Sequence, residues 1–70
     1  MNRQVAEIVK KHSTTAIREL DSIILEIRDE CTGYEFEMIK RGVGFSMGEI
    51  QMKLLELVNA QYPDLDDLAD

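Results

Sequence analysis

His12 and Cys31 are the residues of this chain best suited to acid–base or nucleophilic chemistry, and each type occurs once. Nucleophilic catalysis needs a nucleophile, a base within hydrogen-bond reach and a group that orients the base. His12 falls on the apolar stripe of a predicted helix, where a lone imidazole is typically an interface residue. Cys31 falls near the end of that helix, where the helix dipole disfavours a thiolate. We therefore predict no catalytic residue and no enzymatic activity.

Acidic residues form the clusters that most resemble metal sites, at 29–37 and at 64–70. Neither cluster has the spacing and central glycine of a calcium loop, and the chain lacks a Glu-x-x-His pair of the di-metal type. One Cys and one His cannot complete a structural zinc site or an internal disulfide. Acidic runs of this kind are typically solvated faces, so we predict no metal and no cofactor.

A glycine-rich stretch at 42–48 offers the most specific binding chemistry in the chain. Within it, Ser46 has the sequence of a helix N-cap, because Glu49 follows three residues later as in a capping box. Backbone amides at the start of a helix attract anions, although the glycine spacing is not that of a dinucleotide fingerprint. An anion-, nucleotide- or DNA-binding regulator is therefore the alternative function. The residues predicted for anion binding are Lys40, Arg41, Gly44 and Ser46.

Composition limits the class of protein. Of 70 residues, 44% are hydrophobic and 31% charged, as in a small folded domain. The net charge of −6 argues against a general nucleic-acid-binding protein, because such proteins need a basic face to displace counterions. No apolar run approaches the roughly 18 residues of a membrane span, and residues 1–11 do not resemble a secretory signal. We expect a cytoplasmic protein without membrane contact.

The first half of the chain has the apolar periodicity of a long helix. Apolar or weakly polar residues recur at steps of three and four, which average close to one helical turn. Asn2 is the expected N-cap and Thr32-Gly33 the expected stop, so the sequence predicts one helix over 3–31. Residues 13–15 are poor helix formers, but the stripe continues through them in phase. The stripe consists of Val5, Val9, His12, Ala16, Leu20, Ile23, Ile27, Cys31 and Tyr34.

Two further helical elements follow in the prediction. Residues 34–44 fit either a strand or a short helix, and because a lone strand has no partner we predict a helix ending at Gly42. Ser46 then begins a capped helix that Pro63 stops. The predicted fold is all-α, with a long N-terminal helix, a short central helix or turn and a capped C-terminal helix. The predicted units are a single helical domain at 1–62 and an acidic C-terminal tail at 63–70.

The predicted helices differ in length, and this difference predicts an oligomer. A short last helix cannot cover the apolar stripe of the first, and domains of this size usually need a disulfide, a metal or an oligomer. Residues 1–18 carry four bases and one acid, whereas residues 19–39 carry one base and seven acids. Antiparallel pairing sets these opposite charges against each other. We predict an antiparallel helical-bundle homodimer with an interface of Ile17, Leu20, Ile23, Ile24 and Ile27.

We interpret the chain as a small non-catalytic protein–protein interaction module, a dimeric adaptor or inhibitor of anti-activator type that binds and regulates another protein. Aromatic residues and Met are enriched at interface cores. The tail sets two leucines at helical spacing among four Asp, a pattern typical of an acidic docking segment and also of a solvated end. The predicted partner-binding residues are Tyr34, Phe36, Met38, Phe45, Tyr62, Leu65 and Leu68.

Overall fold

The chain forms a hairpin of two long antiparallel helical rods. The computed structural model describes residues 1–66, of which 86% are helical, and this part contains no strand. The all-α prediction is therefore confirmed. The second rod is continuous and includes a π-helical segment. The elements are α1 (Arg3–Ile27), α2 (Gly33–Ile50), the π segment (Gln51–Leu55), α3 (Glu56–Gln61) and a 3₁₀ turn (Pro63–Leu65).

Helix α1 begins as the sequence predicts. The Asn2 side-chain oxygen accepts a hydrogen bond from the backbone N–H of Val5 at 2.8 Å, which is the N-cap geometry. The helix passes through residues 13–15 without interruption. The Thr15 hydroxyl donates to the carbonyl of Lys11 at 3.0 Å, so its hydrogen bond is made within the helix. A single first helix is confirmed.

Helix α1 ends four residues earlier than predicted, and the difference creates the hairpin turn. The last helical residue is Ile27, whose carbonyl accepts a hydrogen bond from the N–H of Glu30 at 2.8 Å. Thr32, predicted as a stop, instead caps the next helix, because its hydroxyl oxygen accepts from the N–H of Glu35 at 3.1 Å. Gly33 is the first residue of α2. A cap three residues before an acidic side chain is the pattern that begins a helix.

Helix α2 runs straight through the glycine-rich stretch, so the predicted turn and the predicted Ser46 cap are wrong. The glycines at 42, 44 and 48 lie inside the helix, and no residue in 1–66 has a positive φ. The predicted central and C-terminal helices are parts of one rod. Packing of an apolar stripe against α1 outweighs the helix-forming penalty of about 1 kcal/mol for each glycine. That stripe consists of Phe36, Val43, Met47 and Ile50.

The π segment shifts the inward face of the second rod by one residue. The backbone N–H of Glu56 donates to the carbonyl of Gln51, five residues earlier, which defines the wider π turn. In an unbroken α-helix, the stripe would continue through Leu54 and Leu57, as the sequence predicts. The extra residue exposes both leucines and leaves Val58 fully buried. Apolar periodicity does not reveal this insertion, because Leu54, Leu57 and Val58 are all apolar.

The hairpin is a single layer with a small core. The buried side chains are Ala6, Val43 and Val58, together with Ser13. The molecule measures 45 × 22 × 16 Å, which corresponds to two helices side by side. Its accessible surface is 5326 Å², against about 4,500 Å² expected for a compact protein of this mass. The two rods have nearly equal lengths, so the predicted length mismatch is wrong. Within residues 1–66, each rod still has only one neighbouring rod.

Candidate functional site

The two residues suited to catalysis lie far apart. His12 is exposed in the middle of α1, about 20 Å along the helix from the end where Cys31 lies. Cys31 is half-buried, and its thiol donates to the carbonyl of Ile27 at 3.4 Å. No three of the His, Cys, Asp and Glu side chains in residues 1–66 are arranged to hold a metal ion.

The residues predicted for anion binding are exposed on α2, but not around a turn. Gly44 and Ser46 lie in the helix interior, where backbone N–H groups donate to carbonyls four residues earlier. Lys40 and Arg41 differ by one residue and therefore project about 100° apart around the helix. The structure removes the geometric basis on which anion binding at this stretch was predicted.

The residues predicted for the dimer interface mostly face the second rod of the same chain. Ile17, Leu20, Ile24 and Ile27 are half-buried along the side of α1 that packs on α2 and the π segment, whereas Ile23 is exposed. The second rod therefore covers much of the surface that was assigned to a second copy. The dimer itself stays a prediction.

Three of the predicted partner-binding residues lie in one line on the side of α2 that points away from α1. Tyr34 is 76% exposed and Phe45 73% exposed, and Met38 and Met52 are about half exposed along the same line. We call these four residues the outer stripe. Met52 was not predicted, although its seven-residue spacing from Phe45 repeats the spacing from Met38 to Phe45. Phe36 is half-buried on the inner side.

A second apolar surface lies on one side of the hairpin. On both rods an exposed aliphatic residue repeatedly precedes an inward residue by one position, as Val5 precedes Ala6 and Leu57 precedes Val58. An antiparallel hairpin has an approximate two-fold axis perpendicular to its plane, so such residues project to the same side of both rods. Each is between 37% and 51% exposed. This lateral face consists of Val5, Ile23, Leu54 and Leu57, with Ile8 at its outer edge.

The end of the second rod is fastened to the start of α1. The Tyr62 hydroxyl donates to the carbonyl of Met1 at 2.8 Å, and the Arg3 guanidinium lies 5.8 Å from the centre of the Tyr62 ring. Arg3 also donates to a carboxylate oxygen of Asp64 at 2.5 Å, and this hydrogen bond lowers the pKa of Asp64. Tyr62 is therefore half-buried and engaged within the chain. We call Arg3, Tyr62 and Asp64 the terminal clasp.

A cavity of about 280 Å³ lies between α1, the π segment and the 3₁₀ turn. Leu65 lines it, and the Leu65 carbonyl accepts a hydrogen bond from the Lys10 ammonium group, so this part of the predicted tail folds back on α1. The Asn59 side-chain oxygen, also at the cavity, is buried without a hydrogen-bond partner in the described part of the chain. Leu68, the last predicted partner-binding residue, lies outside the described residues.

No family model, curated protein or solved structure matches the chain. None of the helices within residues 1–66 has the length and apolar character needed to cross a membrane.

Proposed function

We propose that this protein is a non-catalytic protein–protein interaction module, a dimeric helical adaptor or inhibitor that binds and regulates another protein. The observation that carries the proposal is the single-layer hairpin, which leaves two apolar surfaces uncovered. Helical domains bury their apolar faces against a second layer. Here the second layer is supplied by other molecules.

The amount of exposed apolar surface supports this proposal. Monomeric proteins rarely expose contiguous apolar patches larger than a few hundred Å², and large patches typically mark interfaces. Two apolar surfaces, the outer stripe and the lateral face, lie on different sides of this molecule. Twelve large apolar side chains are exposed among the described residues: Met1, Val5, Ile8, Ile23, Leu25, Tyr34, Met38, Ile39, Phe45, Met52, Leu54 and Leu57.

We assign the regulated partner to the lateral face. Glu19 and Glu26 follow Ile8 by eleven and eighteen residues, which are close to whole numbers of helical turns, so they lie on the same side of α1. The surface is therefore aliphatic with an acidic border. Its complement is an amphipathic helix whose apolar side is bordered by Lys or Arg.

Capture of a partner from native host lysate by the tagged protein, with identification by mass spectrometry, tests this function. The wild-type protein should retain one protein in stoichiometric amount. The double substitution Ile8→Glu and Leu57→Glu places two charges on the lateral face and should abolish capture. Leu25→Glu is the matched control, because Leu25 is exposed on the other side of α1 and its substitution should leave capture unchanged. Equal capture by all three proteins, or by none, would contradict the proposal.

A further inference from the structure

We propose that two copies of this chain pair through the outer stripe, with their α2 helices antiparallel and Phe45 on the two-fold axis. This inference rests on the proposed function and specifies its dimer. The proposed interface differs from the one predicted on α1. Most of the predicted residues face the second rod of their own chain, whereas the outer stripe is exposed to solvent.

The sequence around Phe45 is complementary to itself when it is reversed. Met38 and Met52 lie seven residues on either side of Phe45, and Arg41 and Glu49 lie four residues on either side. In an antiparallel pair centred on Phe45, residues at equal distances from it face each other across the axis. Met38 then packs against Met52 of the second copy, and Arg41 faces Glu49 of the second copy. A two-fold dimer requires this kind of self-complementary patch.

Charge selects the antiparallel arrangement. A parallel pair in register would set Arg41 against Arg41 and Glu49 against Glu49, and like charges at such positions are destabilising. Within residues 1–66, neither side chain takes part in an ion pair of its own chain. Both are therefore available to a second copy.

Small residues beside Phe45 allow the two helices to approach closely. Gly42, Gly44, Ser46 and Gly48 surround it in sequence, and glycine is the least favourable residue of a helix interior after proline. Apart from the chain neighbours and the adjacent turns of helix backbone, no atom of residues 1–66 lies within 4 Å of the position that a Cβ would occupy at any of these glycines. The hairpin itself therefore does not need them to be small. Small residues are needed here if a second helix packs against α2 and places its Phe45 ring between them.

The stripe is large enough for a specific dimer. From Tyr34 to Met52 it extends for about 27 Å along the helix. The exposed fractions of its four side chains correspond to about 500 Å² in each copy, given that such side chains present about 200 Å² when fully exposed. Complete burial of these side chains in both copies would remove about 1,000 Å² from solvent, which is the lower limit for a specific interface.

Sedimentation equilibrium of the whole chain between 1 and 200 µM tests the interface. The wild-type protein should be dimeric, and Phe45→Glu should raise the dimer dissociation constant by about 100-fold or more, because each dimer loses two central aromatic anchors. Leu25→Glu, an equal change at another exposed position, should leave the constant unchanged. Circular dichroism confirms that both variants keep their helix content, and Phe45→Ala serves if the glutamate disturbs the helix.

Charge reversal tests the register. Arg41→Glu and Glu49→Arg should each weaken the dimer, and the double variant should restore it, because only the antiparallel pair sets position 41 against position 49. Orientation is checked in a Cys31→Ser background: a mixture of Met38→Cys and Met52→Cys chains should form the mixed disulfide in preference to either symmetric one.

The outcomes separate this inference from the proposed function. A monomeric wild-type protein, or a dimer that Phe45→Glu leaves intact, overturns the inference, as does preferential formation of the symmetric disulfides. If the dimer is disrupted by Ile8→Glu and Leu57→Glu instead, the lateral face joins the copies and the inference is likewise overturned. Capture of a partner by a wild-type monomer would overturn the dimer while supporting the interaction function.

Discussion

Val43 and Phe45 stand two residues apart on α2 and face opposite ways: Val43 is 7% exposed and Phe45 is 73% exposed. Two residues correspond to about 200° around a helix, so this separation follows from the α-helical backbone alone. Helix α2 consequently has two apolar sides, one against α1 and one in solvent. The first builds the fold of a single chain, and the second is available for contact between chains.

Substitutions at these two positions should differ in how their effects depend on protein concentration. Val43→Ala removes buried methyl groups and should lower the free energy of unfolding by about 2 kcal/mol, by the same amount at every concentration. Phe45→Ala should have little effect in dilute solution and a growing one as the dimer forms, because association stabilises the folded state by mass action. Urea unfolding at 1 and 100 µM measures both. A concentration-independent loss for Phe45→Ala would place its ring in the fold of the single chain.

Thr32→Ala and Ser46→Ala distinguish the observed helix start from the predicted one. Thr32 caps α2 through the N–H of Glu35, so its removal should lower the free energy of unfolding by about 1 kcal/mol. Ser46 is exposed within the helix, where Ala is the better helix former, so Ser46→Ala should be neutral or stabilising by up to about 0.5 kcal/mol. Thermal unfolding of both variants in dilute solution measures the difference. A larger loss of stability for Ser46→Ala than for Thr32→Ala would instead support the predicted cap at Ser46.

The sequence correctly predicts those parts of the fold that depend on strong local constraints. Asn2 as a cap, the unbroken α1 and the end of the second rod before Pro63 follow from hydrogen-bonding and backbone constraints. Ser46 misled because a capping box is a local signal, whereas the continuity of α2 depends on packing along α1. The same is true of Leu54 and Leu57 in the lateral face, since their exposure arises from a π turn that periodicity does not reveal.

The terminal clasp should respond to acid. The hydrogen bond from Arg3 holds the pKa of Asp64 below its ordinary value of 3.8. Because the folded-state pKa is the lower one, this contribution to stability is present above pH 3.8 and is lost as the pH falls through the folded-state pKa. Arg3→Gln should return the pKa of Asp64 toward the ordinary value, as followed by carboxyl carbon NMR. Lys11→Gln removes an equal charge from another exposed position of α1 and should leave the pKa of Asp64 low; an equal rise in both variants would show that general charge is responsible.

Deletion of single lysines tests whether the π segment accommodates one extra residue. Lys53 lies in this segment and Lys40 in regular α2; both are exposed, so their deletions change the net charge equally. Without Lys53, the turn can close as an α-helix while Leu55 and Val58 keep facing α1, and the free energy of unfolding should change by no more than about 1 kcal/mol.

Deletion of Lys40 has no such turn to absorb it. Everything before the deletion rotates by about 100° relative to everything after it, so Phe36 and Val43 can no longer share the inward side. The free energy of unfolding should fall by about 3 kcal/mol or more, a large part of the total for a domain of this size. Urea unfolding followed by circular dichroism compares the two deletions. A one-residue insertion at 51–55 requires the deletion of Lys53 to be tolerated and the deletion of Lys40 to be costly. If both deletions lowered the free energy of unfolding equally, the π segment would not be what sets the direction of the inward face.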